Sequence, residues 1–137
     1  MRTPGARRAA IATDRRSERG SVTVVTAAIV GIVVVLTLGA ADLGAALVAR
    51  EHAHEAADAA ALAAAQELAL PSSSSPQDQA AAFAQHNHAT LVACTCAPGS
   101  FEAVVVVEVD IGHLFLVPGD HSVRSTARAV VDLAPPS

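Results

Sequence analysis

His86-Asn87-His88 and Cys94-Thr95-Cys96 place two imidazoles and two thiols within eleven residues, a set of four N/S donors that can in principle close around zinc. The spacing matches no zinc signature, however, and outside the cytoplasm the thiols point instead to a disulfide, between Cys94 and Cys96 or between chains. In an extended chain the Cα atoms of an i,i+2 pair stand near the long limit of roughly 6.8 Å for such a bond, so an internal bridge requires a tight turn. His52 and His54 flank Ala53 on a predicted helix. There they point about 200° apart and cannot clamp one ion. There is no Ser/His/Asp order with nucleophile-elbow flanks, no Gly-rich phosphate loop and no carboxylate pair beyond solvated helix charges. The residues therefore predict neither an enzyme nor a cofactor, metal or small-molecule substrate, and the chain reads as a structural or interaction protein.

The elements that would carry such a role follow from composition. A chain of 137 residues has room for one modest domain. Hydrophobic residues make up 52% of it but aromatics only 2%, so the apolar content is mainly Ala and Val, a thin recipe for a soluble core. The net charge of −4 conceals an asymmetry. Arg2, Arg7, Arg8, Arg15, Arg16 and Arg19 all precede the apolar run, whereas only Arg50, Arg124 and Arg128 follow it. An arginine cluster can be a disordered tail or a nucleic-acid arm. Placed directly before an apolar segment, it reads as the cytoplasmic flank of a membrane span, with no nucleic-acid partner.

The run SVTVVTAAIVGIVVVLTLGAA, residues 21–41, carries no charge and matches the roughly 20 helical residues needed to cross about 30 Å of hydrocarbon. Its seven valines, two isoleucines and two leucines favour insertion by about 4 kcal/mol, offset in part by Ser, Thr and Gly. Asp42 lies about 16 Å from a span centred on Gly31, at the membrane interface. The run exceeds the roughly 7–15 residues of a signal-peptide core, although Gly39 and Ala41 supply the small residues of a signal-peptidase site.

Beyond Asp42 the helix is expected to continue to near Leu70, because LGAALVAREHAHEAADAAALAAAQELAL lacks proline and is dominated by alanine. Leu43, Leu47, Ala57, Ala61, Leu62 and Leu68 suggest an apolar seam of roughly 3.5-residue period. This half either projects as a stalk or packs beneath a head. The predicted organisation is a basic cytoplasmic tail over 1–20, a transmembrane and stalk helix over 21–70, a Pro/Ser linker over 71–79 and a small extracytoplasmic head over 80–137. Within the head, Gln77 to about Thr90 reads as a short helix with Ser75 or Asp78 near its N-cap. Phe101 to Ile111 reads as a strand, Val117 to Asp120 as a turn and Ser122 to Leu133 as an antiparallel partner strand. The fold class is α+β: a long N-terminal transmembrane helix continuing as an alanine-rich amphipathic helix, then a short helix and a small antiparallel sheet. A two-stranded ribbon needs a helix face, a partner or more strands to be stable.

Arg19-Gly20 before a Val-rich span, Asp42 at its outer end, Arg50 eight residues on, and the alanine-rich stretch from Ala56 to Ala65 around Asp58 form a combination. In it the first half of the chain resembles the TadE/TadG-like family of Flp (tight adherence) pilus assembly. The resemblance implies a bacterial, non-enzymatic, pilin-like or pseudopilin component of a pilus or related secretion machine. It would sit in the inner membrane, with its N-terminus cytoplasmic and its C-terminus outside, its partners being the lipid bilayer and other pilin-like or Tad assembly subunits met through the helix. It also marks Gly20 and Ser21 as the candidate prepilin-type processing position. Processed pilin-like chains carry Glu five residues after that cut, to pair with a neighbour's new N-terminal amine in lipid. Here the position is Val25, so cleavage after Gly20 and filament insertion lack that partner, and a permanently anchored assembly factor fits at least as well.

The rival reading is a secreted effector or small binding protein whose apolar segment is a cleaved export signal. The two predict different mature chains. N-terminal sequencing or intact mass of the protein from its host is expected to show a start at Met1, or at Ser21 if processing occurs, and a start at Asp42 would remove the membrane reading.

Overall fold

A computed structural model describes the backbone of residues 14–132 and the side chains of residues 20–132. The predicted basic tail falls largely outside the described residues, as does Leu133. Five elements follow in chain order: α1 (Asp14–Ala69), α2 (Pro76–His86), β1 (Thr90–Thr95), β2 (Glu102–His113) and β3 (Asp120–Val130). Internal contacts divide the chain into two units, residues 1–40 and residues 41–137.

In the first unit, α1 begins earlier than expected, at Asp14 rather than near Ser21, because neither Gly20 nor the arginines before it stop a helix. From Val22 to Leu36 its large apolar side chains stand at least 51% exposed. The hydroxyls of Thr26 and Thr37 donate back to the carbonyls of Val22 and Val33, at 2.9 and 2.8 Å, so these polar groups are satisfied within the helix itself.

The second unit is an antiparallel sheet of order β1-β2-β3 packed against alanine. Ala49, Ala53, Ala56, Ala57, Ala60, Ala61 and Ala64 recur at three- and four-residue steps, the signature of one helix face, and all are buried. From Ala56 onward they form one cluster with Ala80 and Ala84 of α2, Ala103, Val105 and Val107 of β2, and Ala127 of β3. This half of α1 therefore packs beneath the sheet and is no free stalk. The expected seam is corrected accordingly. Ala57 and Ala61 are buried, but Leu43, Leu47 and Leu62 are 62%, 54% and 56% exposed. Leu68 is partly buried and packs against the alanine cluster, as expected of the seam, whereas the other three leucines lie on the flanks.

Pro71 ends α1 as predicted, and the Glu67 carboxylate, itself buried, accepts the Ser72 amide and closes the turn. Ser75 caps α2, its hydroxyl accepting the Asp78 amide at 3.0 Å with Pro76 at the first helical position. That helix stops at His86, not near Thr90. Asn87 caps it, and His88 adopts a positive φ of 56°. A third strand not predicted from the sequence, β1, begins at Thr90 and pairs with β2 from Thr90↔Glu108 to Thr95↔Val104. The sheet thus exceeds a two-stranded ribbon, with β2 at its centre.

β2 and β3 pair from Glu102↔Val130 to His113↔Asp120. On the outer face Arg124 sits opposite Glu108 and hydrogen-bonds its carboxylate, and that hydrogen bond is the main cause holding the Glu108 carboxyl below its ordinary value. Arg128 grips Glu102 with Nε at 2.6 Å and Nη2 at 2.9 Å. These exposed pairs set register more than they add stability.

The close alanine packing generates a sharp test. Ala60→Leu would force three additional heavy atoms into the contact between α1 and the sheet and is expected to destabilise the protein by about 1–3 kcal/mol. Leu62→Ala, on the exposed flank, should stay within about 0.5 kcal/mol. Thermal unfolding of the detergent-solubilised chain followed by circular dichroism checks both.

Candidate functional site

The feature that stands out among the described residues is Asp42. It is the first charge after the apolar run, and it begins the stripe of α1 in the second unit that continues through half-buried Ala46 to buried Ala49, Ala53 and Ala56 at three- and four-residue steps. Only 8% of it is exposed. Its carboxylate faces the loop between β2 and β3, where Oδ1 accepts the Phe115 amide and Oδ2 the Leu116 amide, each at 2.8 Å. Two consecutive backbone donors on one carboxylate form a small anion nest, closed here by a side chain 73 residues earlier in the chain.

The loop has its own reasons to turn there. A bulge between Asp110 and Gly112 leaves Ile111 out of the ladder, and Gly112 takes a φ of +80° that suits glycine. Gly119, at φ +114°, brings the chain back, and His113 and Asp120 face each other with nitrogen and oxygen 3.6 Å apart. Residues 114–119 read Leu-Phe-Leu-Val-Pro-Gly, without a charge. Phe115 is 75% exposed, with Leu116 and Val117 near half.

The residues singled out from sequence are placed as follows. Gly20 and Ser21 lie inside α1, where a Cβ added at Gly20 would meet open space, and Val25 is exposed on the same helix. Cys94, near the end of β1, and Cys96, just after it, are bonded to each other with their Cα atoms 5.5 Å apart. That bond takes both thiols out of the four-donor set with His86 and His88. His54 meets the Ser125 hydroxyl at 3.4 Å, and His52 lies 3.9 Å from Glu55 on the helix surface. Among the described residues no group of three or more His, Cys, Asp or Glu is placed to hold a metal ion. A cleft of about 230 Å³ between the end of α1, the linker and the loop after β1 has Glu67 as its one ionisable wall residue. The Ser72 amide already occupies that carboxylate.

The described part of α1, Gly20–Ala69, contains a stretch long and apolar enough to cross a membrane, with a mean hydropathy of 2.6 and none of it buried in the protein. Sequence reasoning placed Asp42 at the edge of this stretch but missed its partners. The signal available was its place at the head of the three- and four-residue alanine stripe, which makes it a buried position and so one that demands donors.

Residues 20–67 match the family model described as "Putative Flp pilus-assembly TadE/G-like". No curated protein and no solved structure matches the chain.

Replacing Asp42 tests the nest. In Asp42→Asn one oxygen still accepts, but the amide group opposes the second backbone N–H. In Asp42→Ala both donors lose their acceptor, at about 1–3 kcal/mol for each buried group left unpaired. Hydrogen exchange at the Phe115 and Leu116 amides is expected to accelerate in both variants, more in the second, while Asp58→Asn on the exposed face leaves those amides protected.

Proposed function

We propose that this chain, whose residues 20–67 match the TadE/G-like Flp pilus-assembly family model, is a non-enzymatic, membrane-anchored, pseudopilin-like component of a Flp/Tad-type pilus assembly or related secretion machine. The observation that carries the reading is the extent of the family match. It spans the apolar run, Asp42 and most of the alanine-rich half of α1, on both sides of the point where a signal peptidase would cut. A leader destined for removal has no reason to share a family signature with the helix that follows it.

In this reading α1 spans the inner membrane once. The arginines before Gly20 hold its start in the cytoplasm, and the unit from residue 41 onward lies outside, where the Cys94–Cys96 bond is stable. Val25, in place of Glu five residues after Gly20, favours a permanently anchored assembly factor over a processed filament subunit. The partners are the bilayer and other pilin-like or Tad subunits, met through α1. The exposed Leu43, Leu47 and Val48, beside a helix face that carries only small residues, provide apolar surface outside the buried stripe.

Site-specific photocrosslinking in the native host, with the probe at Val30 in the span or at Leu47 and Val48 beyond it, is expected to yield discrete protein adducts from at least one position. Adducts to lipid alone at Val30, with none at Leu47 and Val48, would overturn the assembly role while leaving the anchor intact.

A further inference from the structure

We propose that the loop between β2 and β3 is a second membrane contact, with Phe115, Leu116 and Val117 seated in the interfacial layer of the outer leaflet and Asp42 as the residue that holds them at that depth. The inference rests on the membrane reading of α1 and adds to it a site in the folded unit. It is carried by three observations that converge on one place.

The first is exposure. Three consecutive apolar side chains, including the largest one in the loop, face outward in a segment with no charge between His113 and Asp120. Elsewhere in this unit, the inward positions of β2 bury their apolar groups against alanine. The second is position. Asp42 directly follows the uncharged run and lies about 16 Å along the helix from Gly31, where acyl chains give way to headgroups. Hydrogen bonds of 2.8 Å tie the Phe115 and Leu116 backbones to that carboxylate, so the loop is at the depth of Asp42 whatever the depth of the rest of the sheet.

The third is backbone accounting. A loop that enters an apolar layer must bring acceptors for its own N–H groups, because acyl chains offer none. The two amides at the apex of the apolar triplet are the ones Asp42 accepts. A carboxylate at this position is costly in the hydrocarbon centre but tolerated at the interface, and it is less costly there when two donors neutralise its demand. The lipid interface is the one occupant that the adjoining span guarantees to be present at this level, and a Phe-Leu-Val triplet is the kind of side-chain set that partitions into it.

The chain contains no tryptophan, so single Trp substitutions report depth without background. Full-length Phe115→Trp, with Val117→Trp as a second loop variant, is reconstituted into phosphatidylcholine vesicles carrying bromine either near the headgroup or near the end of the acyl chain. Val33→Trp reports on the span. The expected result is a blue-shifted emission for both loop variants, quenched mostly by the shallow bromines, with Val33→Trp quenched mostly by the deep ones. Adding Asp42→Ala to Phe115→Trp should weaken the shallow quenching. If Val33→Trp is quenched and the loop variants are not, the second contact is wrong and the span stands. A blue-shifted loop tryptophan insensitive to both bromines overturns it in favour of a protein partner. If Val33→Trp itself escapes quenching, the membrane reading of α1 fails first.

Discussion

One helix in this protein has to answer to two surroundings, and Asp42 is the residue at which the requirement changes. Before it, α1 presents valine, isoleucine and leucine on every side, which suits a medium that solvates all faces alike. After it, the same helix presents a stripe of alanines to a sheet, with charged and larger residues on the remaining faces. A buried carboxylate at the head of that stripe needs donors, and the sheet supplies them from the Phe115 and Leu116 amides. The register of the long hairpin, its bulge and its glycines all serve to bring those two amides to that oxygen pair. The clasp fixes where the sheet sits along the alanine stripe of the second unit, and hence which alanines become buried.

The alanine stripe imposes the second constraint. Burying methyl groups yields little transfer free energy per residue, and Val105 and Val107 are the largest side chains fully buried among the described residues. Such a core depends on close approach more than on bulk. Each contact is small, many are made at van der Waals distance, and any larger side chain spoils several of them. This explains why Leu43, Leu47 and Leu62 stay on the flanks of α1, where a coiled-coil reading of the sequence would have turned them inward. It also explains the third strand. β1 gives β2 a partner on both sides, so the two buried valines lie in the middle of the sheet.

The apolar run, the long helix, the Pro71 break, the Ser75 cap and the β2–β3 hairpin were legible because each rests on local chemistry: uncharged length, alanine propensity, proline, a capping hydroxyl, β-branched alternation. The parts that were not legible depend on distant partners. Thr90 to Thr95 is short and lacks a clean apolar alternation, and its strand state is set by pairing with Val104 to Glu108. The helix seam was misread because alanine is compatible with core and surface alike, so periodicity alone could not choose between the leucine and alanine faces. The donors to Asp42 come from residues 73 and 74 positions away, and no local pattern announces them.

Folding links the two halves of α1. An alanine-rich helix in water still has to form its first turn at a loss before propagation repays it. In the membrane reading that turn is already made, since a segment crossing hydrocarbon has no alternative to the helix. The alanine half then only propagates from an end that lipid holds helical, and the sheet finds its packing face in place. The thin core becomes sufficient because it is not asked to order the helix as well. The same logic gives Asp42 its position. Placed one turn earlier, its charge would lie deeper in the apolar run. Placed one turn later, the hairpin loop would close on a part of the stripe that the alanines need for the sheet.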